Sequence, residues 1–303
     1  MTAIARLVYL TQIARAAATS NSKSLGQRKR IFERIWAWSH LVRFATSASG
    51  AAFVFLLAIQ GQSSGIAVTI AAATFCALGS GFALNDAVDI REDRVNNPGR
   101  PVARGEISQK AAILAYLTLS VAAASLGMLS QSAICLTVTL ILICSGALYS
   151  LAVKHVWYLK NVFASGVVAI LPLISSTRIN QKHFALLGVL FLWSLEKEIL
   201  MDLRDIVGDR KANIQTMAMH LTRSQIGYII LAVNLLIWFA AVESQIAATL
   251  HVERSWTFSL CMGHTALMCY LGGKAPFIWL KVFLRAQVVL VATTLMVFLF
   301  RLL

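Results

Sequence analysis

Two groups of three aspartates repeat one spacing along the chain, and carboxylates in this arrangement can bind metal ions. The offsets are i, i+3 and i+7, and the residues are Asp86, Asp89 and Asp93, followed later by Asp202, Asp205 and Asp209. On a helix these offsets place three side chains on one face over two turns. Like charges so close repel each other, and Mg²⁺, which prefers oxygen ligands and is usually shared with substrate phosphates, would neutralise them. The spacing predicts two facing acidic stripes that hold Mg²⁺ with an anion between them.

Basic side chains follow each triplet and could bind such an anion. They are Arg100 and Arg104 after the first triplet, Lys154 and Lys160 between the two, and Arg204, Arg210 and Lys211 beside the second. Next to Mg²⁺, Arg binds phosphate oxygens through its fork and Lys binds them as a point charge. Taken singly, each base is better explained by membrane topology or lipid headgroups, and each aspartate by a structural ion pair. The repeated triplet is what favours a diphosphate site.

The composition shows which elements must position these groups. Of the 303 residues, 58% are hydrophobic and 13% are charged, and the mean hydropathy is +0.72. Soluble domains are about half apolar and about a quarter charged. Because a helix satisfies its own backbone hydrogen bonds inside lipid, the predicted fold class is an all-α, polytopic membrane protein.

Nine apolar spans of membrane length follow a basic N-terminal segment. Residues 1–34 are predicted to form an interfacial segment, although a mitochondrial presequence would have a similar composition. Residues 35–303 are predicted to form one transmembrane domain with two pseudo-repeated halves. The spans cover residues 36–60, 64–88, 109–129, 131–153, 161–177, 183–203, 224–243, 255–273 and 281–303.

The distribution of Lys and Arg predicts the orientation of the chain. Of these 27 residues, 21 lie in segments on the side of the N-terminus and four lie on the opposite face. The positive-inside rule therefore places the N-terminus in the cytoplasm and the C-terminus outside. Ten of the 13 acidic residues then lie at the cytoplasmic ends of the second and sixth spans, where buried carboxylates are costly and usually functional.

This topology also predicts where in the cell the protein is located, and it argues against nucleic acid as a partner. The net charge of +14 is spread over short loops and does not gather on one folded face, so nucleic acid is excluded as a partner. The lipid bilayer is the expected surrounding. The expected location is a bacterial or archaeal plasma membrane with the site facing the cytoplasm, and an organelle inner membrane is the alternative.

Two segments resemble the signatures of the UbiA superfamily of intramembrane prenyltransferases. Residues 85–101 resemble NDxxDxxxD followed by an Asn and an Arg-Pro pair, and residues 202–216 resemble DxxDxxGD leading to a Thr or Ser. The second signature is most similar to the branch that contains geranylgeranylglyceryl phosphate and homogentisate prenyltransferases and chlorophyll synthases. The chain departs from that branch at Asn213 and at residues 215–218. A third segment, with Tyr149, Lys154 and Asn161, is similar to the family's Tyr/Lys loop.

The resemblance implies a nine-helix UbiA-like bundle and a role for each matching residue. Two or more Mg²⁺ ions, bridging the substrate diphosphate, would be bound by Asn85, Asp86, Asp89, Asp93, Asp202, Asp205 and Asp209. The catalytic residues would be Asp89, Asp93, Asp202, Asp205, Asp209 and Lys154. The diphosphate and the acceptor would be bound by Asn85, Asn96, Arg100, Tyr149, Lys154 and Asn161.

The expected reaction transfers a C15–C20 prenyl group from a prenyl diphosphate to a hydrophobic acceptor, expected to be aromatic, with release of diphosphate. Arg43, a charge inside the first span, is the candidate contact for an acidic group on the acceptor, and snorkelling to the interface is the simpler alternative. A terpene cyclase that uses no external acceptor is the alternative function. A CDP-alcohol transferase is disfavoured because the chain has no DG-x₂-AR signature. A transporter would place its acids near the bilayer midplane instead.

Overall fold

The computed structural model describes residues 31–179, 181–211 and 215–243, and within these ranges all regular secondary structure is helical. This confirms the predicted all-α class. Two short 3₁₀ turns, Val153–His155 and Leu171–Ser175, flank α7. The helices are α1 (Ile31–Leu41), α2 (Phe44–Ala58), α3 (Ser64–Val88), α4 (Ile90–Asn96), α5 (Gln109–Leu129), α6 (Ala133–Leu151), α7 (Trp157–Ala169), α8 (Gln181–Lys211), α9 (Met217–His220) and α10 (Arg223–Glu243).

Four segments of the described chain are long and apolar enough to cross a membrane, judged by length and composition. They are α3, α5, α6 and Trp157–Ser175, which joins α7 to the following 3₁₀ turn, and they match the second to fifth predicted spans. Ser63, Ser108 and Ser132 precede the first three of these helices, and each side-chain oxygen accepts a hydrogen bond from the backbone N–H three residues later. Such caps satisfy one of the unpaired donors at a helix start.

The first predicted span, residues 36–60, is bent instead of straight. The axes of α1 and α2 differ by 56°, and Arg43 at the joint has a left-handed backbone with φ of 45°. This conformation is unfavourable for a residue with a side chain. Contacts of the Arg43 side chain, described with the site below, must therefore favour the bend.

The first aspartate triplet does not lie on one continuous helix, so this expectation was wrong. Asp89 stands between α3 and α4 with non-helical φ and ψ of −88° and 21°. The backbone N–H of Asp89 still donates to Asn85 O at 2.9 Å, and that of Asp93 donates to Asp89 O at 2.8 Å. Aspartate is a poor residue for a helix interior because its side chain competes for local polar groups. The break assigns Asp86 to α3 and Asp93 to α4.

The second triplet lies on one helix, α8, which is 31 residues long. This helix contains the sixth predicted span, but charged residues in its second half exclude it from the helices that satisfy the apolar criterion. The seventh predicted span coincides with α10. The predicted spans 255–273 and 281–303, and residues 1–30 of the N-terminal segment, lie outside the described residues.

The backbones of α3 and α6 approach each other closely at two glycines. A Cβ built on Gly146 would lie 3.2 Å from the Cα of Gly81, so small residues are what allow the two backbones to approach. Buried residues of α2, α3 and α6 pack beside this crossing, among them Val54, Ile70 and Leu142. A second core joins α8 to α9 and α10. The first core thus packs α3 against α2 and α6, and the second packs α8 against α9 and α10.

Candidate active site

Four of the six aspartates are buried at one end of the bundle. Asp86, Asp93, Asp202 and Asp209 each expose no more than 6% of their surface, whereas Asp205 is half-buried. A buried carboxylate is costly unless it is paired or hydrogen-bonded. The contacts of these residues therefore define what the site is built to do.

Two arginines neutralise the ends of the first triplet. An Arg100 Nη atom lies 2.6 Å from Asp93 Oδ2 and 3.2 Å from Asp86 Oδ1. Arg43 donates to Asp86 at 3.4 Å, and its guanidinium lies 4.4 Å from the centre of the Phe82 ring. Burial raises the pKa of Asp93 above its ordinary value, and Arg100 opposes that rise. Arg43 therefore faces the site through its contact with Asp86.

The middle aspartate of the first triplet is paired with a lysine from another helix end. Lys154, in the 3₁₀ turn after α6, forms an ion pair with Asp89, and the second carboxylate oxygen of Asp89 accepts a hydrogen bond from Asn85. Burial lowers the pKa of Lys154 to about 8. The lysine thus remains largely protonated at neutral pH, which is the form that binds carboxylates and phosphates.

Side chains of α7 and α4 donate hydrogen bonds to two aspartates of the second triplet. Asp202 accepts hydrogen bonds from Lys160 Nζ at 2.6 Å and from Asn161 Nδ2 at 2.8 Å. Asp209 accepts one from Asn96 Nδ2 at 2.7 Å. Because Asn96 ends α4, this last bond joins the segment of the first triplet directly to the second triplet. The two acidic groups therefore face each other, as the spacing predicted.

The oxygen donors at this site fit Mg²⁺. Among the described residues, however, no group of three Asp, Glu, His or Cys side chains is arranged around a common point. Lysines and arginines stand at the carboxylates instead. Two asparagine oxygens, Asn96 Oδ1 and Asn161 Oδ1, are buried without a hydrogen-bond partner in the described part of the chain. Unpaired buried oxygens beside Asp209 and Asp202 are suitable ligands for a hard cation.

A cavity of about 300 Å³ opens beside the first triplet. Two arginines and His40 are among the residues that line it. His40 is held against the Trp36 ring at a centroid distance of 4.5 Å. The lining residues are His40, Arg43, Asp86, Asn97, Gly99, Arg100 and Pro101.

Comparison with protein families identifies the family to which the chain belongs. The family model of the UbiA prenyltransferase family matches residues 46–282. The chain belongs to the UbiA prenyltransferase family. The sequence-based recognition is thereby confirmed, and with it the assignment to a family of membrane enzymes.

Curated relatives of this UbiA-family chain carry a more specific name. A digeranylgeranylglyceryl phosphate synthase of Methanosphaera stadtmanae is 29% identical over 171 residues, covering 54% of this chain and 61% of the relative. The synthase of Pyrococcus abyssi is 33% identical over 150 residues, covering 46% and 50%. The chain thus aligns with about half to three fifths of the length of these relatives.

A solved structure shares the fold. A UbiA homologue from Archaeoglobus fulgidus, bound to GPP and Mg²⁺, superposes with a TM-score of 0.66 at 13% identity, covering 86% of this chain and 99% of that one. At this identity the similarity establishes the UbiA fold.

The UbiA signatures identified most of the residues that meet at this end of the bundle, with two exceptions. Tyr149 makes a ring contact with Phe163 at a centroid distance of 6.4 Å, and no described contact joins it to an aspartate. Lys160, which the sequence offers only as one of several loop bases, pairs with Asp202. Its position directly before Asn161 was the available signal. The residues that do make contacts there are Asn85, Asp86, Asp89, Asp93, Asn96, Arg100, Lys154, Asn161, Asp202 and Asp209.

Proposed function

We propose that this UbiA-family chain is a Mg²⁺-dependent intramembrane prenyltransferase that uses a prenyl diphosphate as donor. The observation that carries the proposal is the Asn96–Asp209 hydrogen bond of 2.7 Å, which joins two buried aspartate groups with Arg100, Lys154 and Lys160 among them. A Mg²⁺–diphosphate complex needs both signs of charge. Carboxylates bind the metal, and Arg and Lys bind the phosphate oxygens.

The roles follow from the contacts. Arg100 and Lys154 would turn from their carboxylates to the diphosphate oxygens, with Asn96, Tyr149 and Asn161 completing the binding surface. When bound, Mg²⁺ supplies Lewis-acid stabilisation of the departing diphosphate. Two or more ions would be held by Asn85, Asp86, Asp89, Asp93, Asp202, Asp205 and Asp209.

The apolar interior below the site suits the reaction. Departure of diphosphate breaks the C1–O bond and leaves an allylic cation, which water would quench. Buried residues of the bundle such as Val138, Leu142 and Ile174 exclude water and leave the cation to the acceptor. The acceptor oxygen then forms a bond to C1.

We propose a glyceryl phosphate lipid as the acceptor, which replaces the aromatic acceptor expected from the sequence. The relatives named digeranylgeranylglyceryl phosphate synthase are, by that name, enzymes whose product carries two geranylgeranyl chains on a glyceryl phosphate. The 300 Å³ cavity supports such an acceptor, because Arg43, Arg100 and His40 together offer donors for a phosphate group. The donor would accordingly be geranylgeranyl diphosphate, within the expected size range.

We also propose that this end of the bundle faces the cytoplasm. The Lys and Arg distribution supports that orientation. The membrane concerned, a bacterial or archaeal plasma membrane, remains a prediction.

The purified chain tests the proposal directly. With geranylgeranyl diphosphate, Mg²⁺ and a geranylgeranylglyceryl phosphate acceptor, we expect doubly alkylated product and diphosphate in equal amounts. Asp93→Asn is expected to lose at least about 3 kcal/mol of transition-state stabilisation, or more than about a hundredfold in rate. Glu92→Gln, one residue away in α4, is the matched control and should retain activity.

Three results would contradict the proposal in different ways. Full turnover in EDTA would refute Mg²⁺ dependence. Prenylation of phenols but not of the glyceryl phosphate would restore the aromatic acceptor. Quantitative conversion to a cyclic hydrocarbon without any acceptor would identify a terpene cyclase.

A further inference from the structure

The acidic face of α8 continues beyond the second triplet, deeper into the bundle. Glu198 lies four residues before Asp202, and Ser194 lies four residues before Glu198. Steps of four residues stay on one helix face and advance about 6 Å along the axis. Since Asp202 lies at the site end of α8, Glu198 is one turn deeper and Ser194 two turns deeper.

Neither side chain has the surroundings of a purely structural residue. The Glu198 side chain is 14% exposed, and its ion-pair partner at 3.0 Å is its chain neighbour Lys197, which is itself 37% exposed. Ser194 is 1% exposed, and its hydroxyl finds no hydrogen-bond partner among the described residues. A carboxylate and an unpaired hydroxyl at this depth are costly. Their positions indicate that the two side chains contact a polar group of a ligand.

The depth of Glu198 matches that of the reacting carbon. The C1 atom of a prenyl diphosphate is bonded to a diphosphate oxygen, so it must lie within about one helical turn of the metal-binding carboxylates. That is the level of Glu198. Tyr149 of α6 lies within electrostatic range of both Glu198 and Asp202.

We propose that Glu198 is the general base that accepts the proton of the acceptor hydroxyl, and that Ser194 hydrogen-bonds the acceptor beside it. This inference rests on the proposed function and adds the residue that completes the reaction. The C1–O bond to diphosphate breaks, and its electron pair leaves with the diphosphate. A lone pair of the acceptor oxygen forms the new C1–O ether bond, and the hydroxyl proton passes to the Glu198 carboxylate.

Glu198→Gln tests the proposal because it preserves size and hydrogen bonding but removes the base. Transfer to the hydroxyl acceptor is expected to fall at least about a hundredfold, within the range of general-base catalysis. The acceptor KM and the Mg²⁺-dependent binding of the prenyl diphosphate should stay within about threefold. Glu92→Gln is the control.

A second acceptor distinguishes a general base at position 198 from a residue that only maintains the structure of the site. A thiol is far more acidic than an alcohol (the cysteine thiol has a pKa of about 8.5), so an acceptor whose hydroxyl is replaced by a thiol is partly ionised at pH 9 and depends little on a base. Glu198→Gln should transfer to this thiol as fast as the wild type does.

Each contrary outcome is distinct. Transfer to the hydroxyl within about threefold of wild type, or an equal loss with both acceptors, would overturn the role of Glu198. Wild-type protein that prenylates neither acceptor would overturn the proposed function itself, before any variant is compared.

Discussion

Lys160→Met is expected to destabilise the Mg²⁺-free protein and to make its stability depend on Mg²⁺. Lys160 Nζ lies 2.6 Å from Asp202 Oδ1, and the two side chains are only 14% and 3% exposed. Methionine keeps most of the apolar stem but removes the charge. The substitution therefore leaves Asp202 as a buried carboxylate without its cation.

The magnitude follows from the contacts that remain. Removing one partner of a buried ion pair costs about 3–5 kcal/mol. Asn161 still donates to the other Asp202 oxygen at 2.8 Å, which favours the lower end, about 3 kcal/mol. At about 2–4 °C per kcal/mol, the melting temperature should fall by about 6–12 °C.

The assay is thermal unfolding of the full chain in detergent, in EDTA and in Mg²⁺ with inorganic diphosphate. Mg²⁺ should raise the melting temperature of Lys160→Met more than that of the wild type, because the metal replaces the lost cation at Asp202. Adding Asp202→Asn to Lys160→Met should restore stability in EDTA, since no unpaired charge remains. Lys110→Met, at an exposed lysine of α5, should change little.

Two results would refute this reasoning. An unchanged melting temperature in EDTA would show that the Lys160–Asp202 pair does not stabilise the fold. A large loss that neither Mg²⁺ nor the second substitution reverses would show that Lys160 acts through packing and that Asp202 does not bind the metal.

Two further predictions concern packing and orientation. Gly146→Val should destabilise the bundle by about 1–3 kcal/mol, because the added Cβ would lie 3.2 Å from Gly81 Cα. Thermal unfolding measures this loss, and an unchanged melting temperature would contradict the close approach of the two helices. Gly99→Cys, at an exposed position with no atom near an added Cβ, should react with a membrane-impermeant thiol reagent only from the cytoplasmic face. Reaction from the outer face would reverse the predicted topology.

Local spacing made the aspartate groups predictable, because an i, i+3, i+7 pattern depends only on neighbouring residues. The same holds for the apolar spans that became α3, α5 and α6. Those helices are capped by serines at their first turns, which the sequence also contains. Thus the fold class, and most of the residues that meet at this end of the bundle, could be predicted.

Three features depended on contacts between distant segments and could not be predicted. The break at Asp89 separates two elements that periodicity treats as one helix. The bend at Arg43 accompanies its contacts with Asp86 and Phe82, which lie about forty residues away along the chain. The choice of Lys160 as partner of Asp202 depends on how α7 packs on α8.

The contacts around the triplets also explain how one protein keeps several carboxylates buried before a substrate binds. Without partners each would cost several kcal/mol, and the partners present here are Arg43, Arg100, Lys154 and Lys160. In the proposed reaction Arg100 and Lys154 turn to the diphosphate and Arg43 turns to the phosphate of the acceptor, while the carboxylates bind Mg²⁺. When the substrate binds, each charged side chain exchanges one ionic partner for another, so little unpaired charge is buried. The side chains that pair with the buried carboxylates are therefore the ones that the proposed chemistry requires.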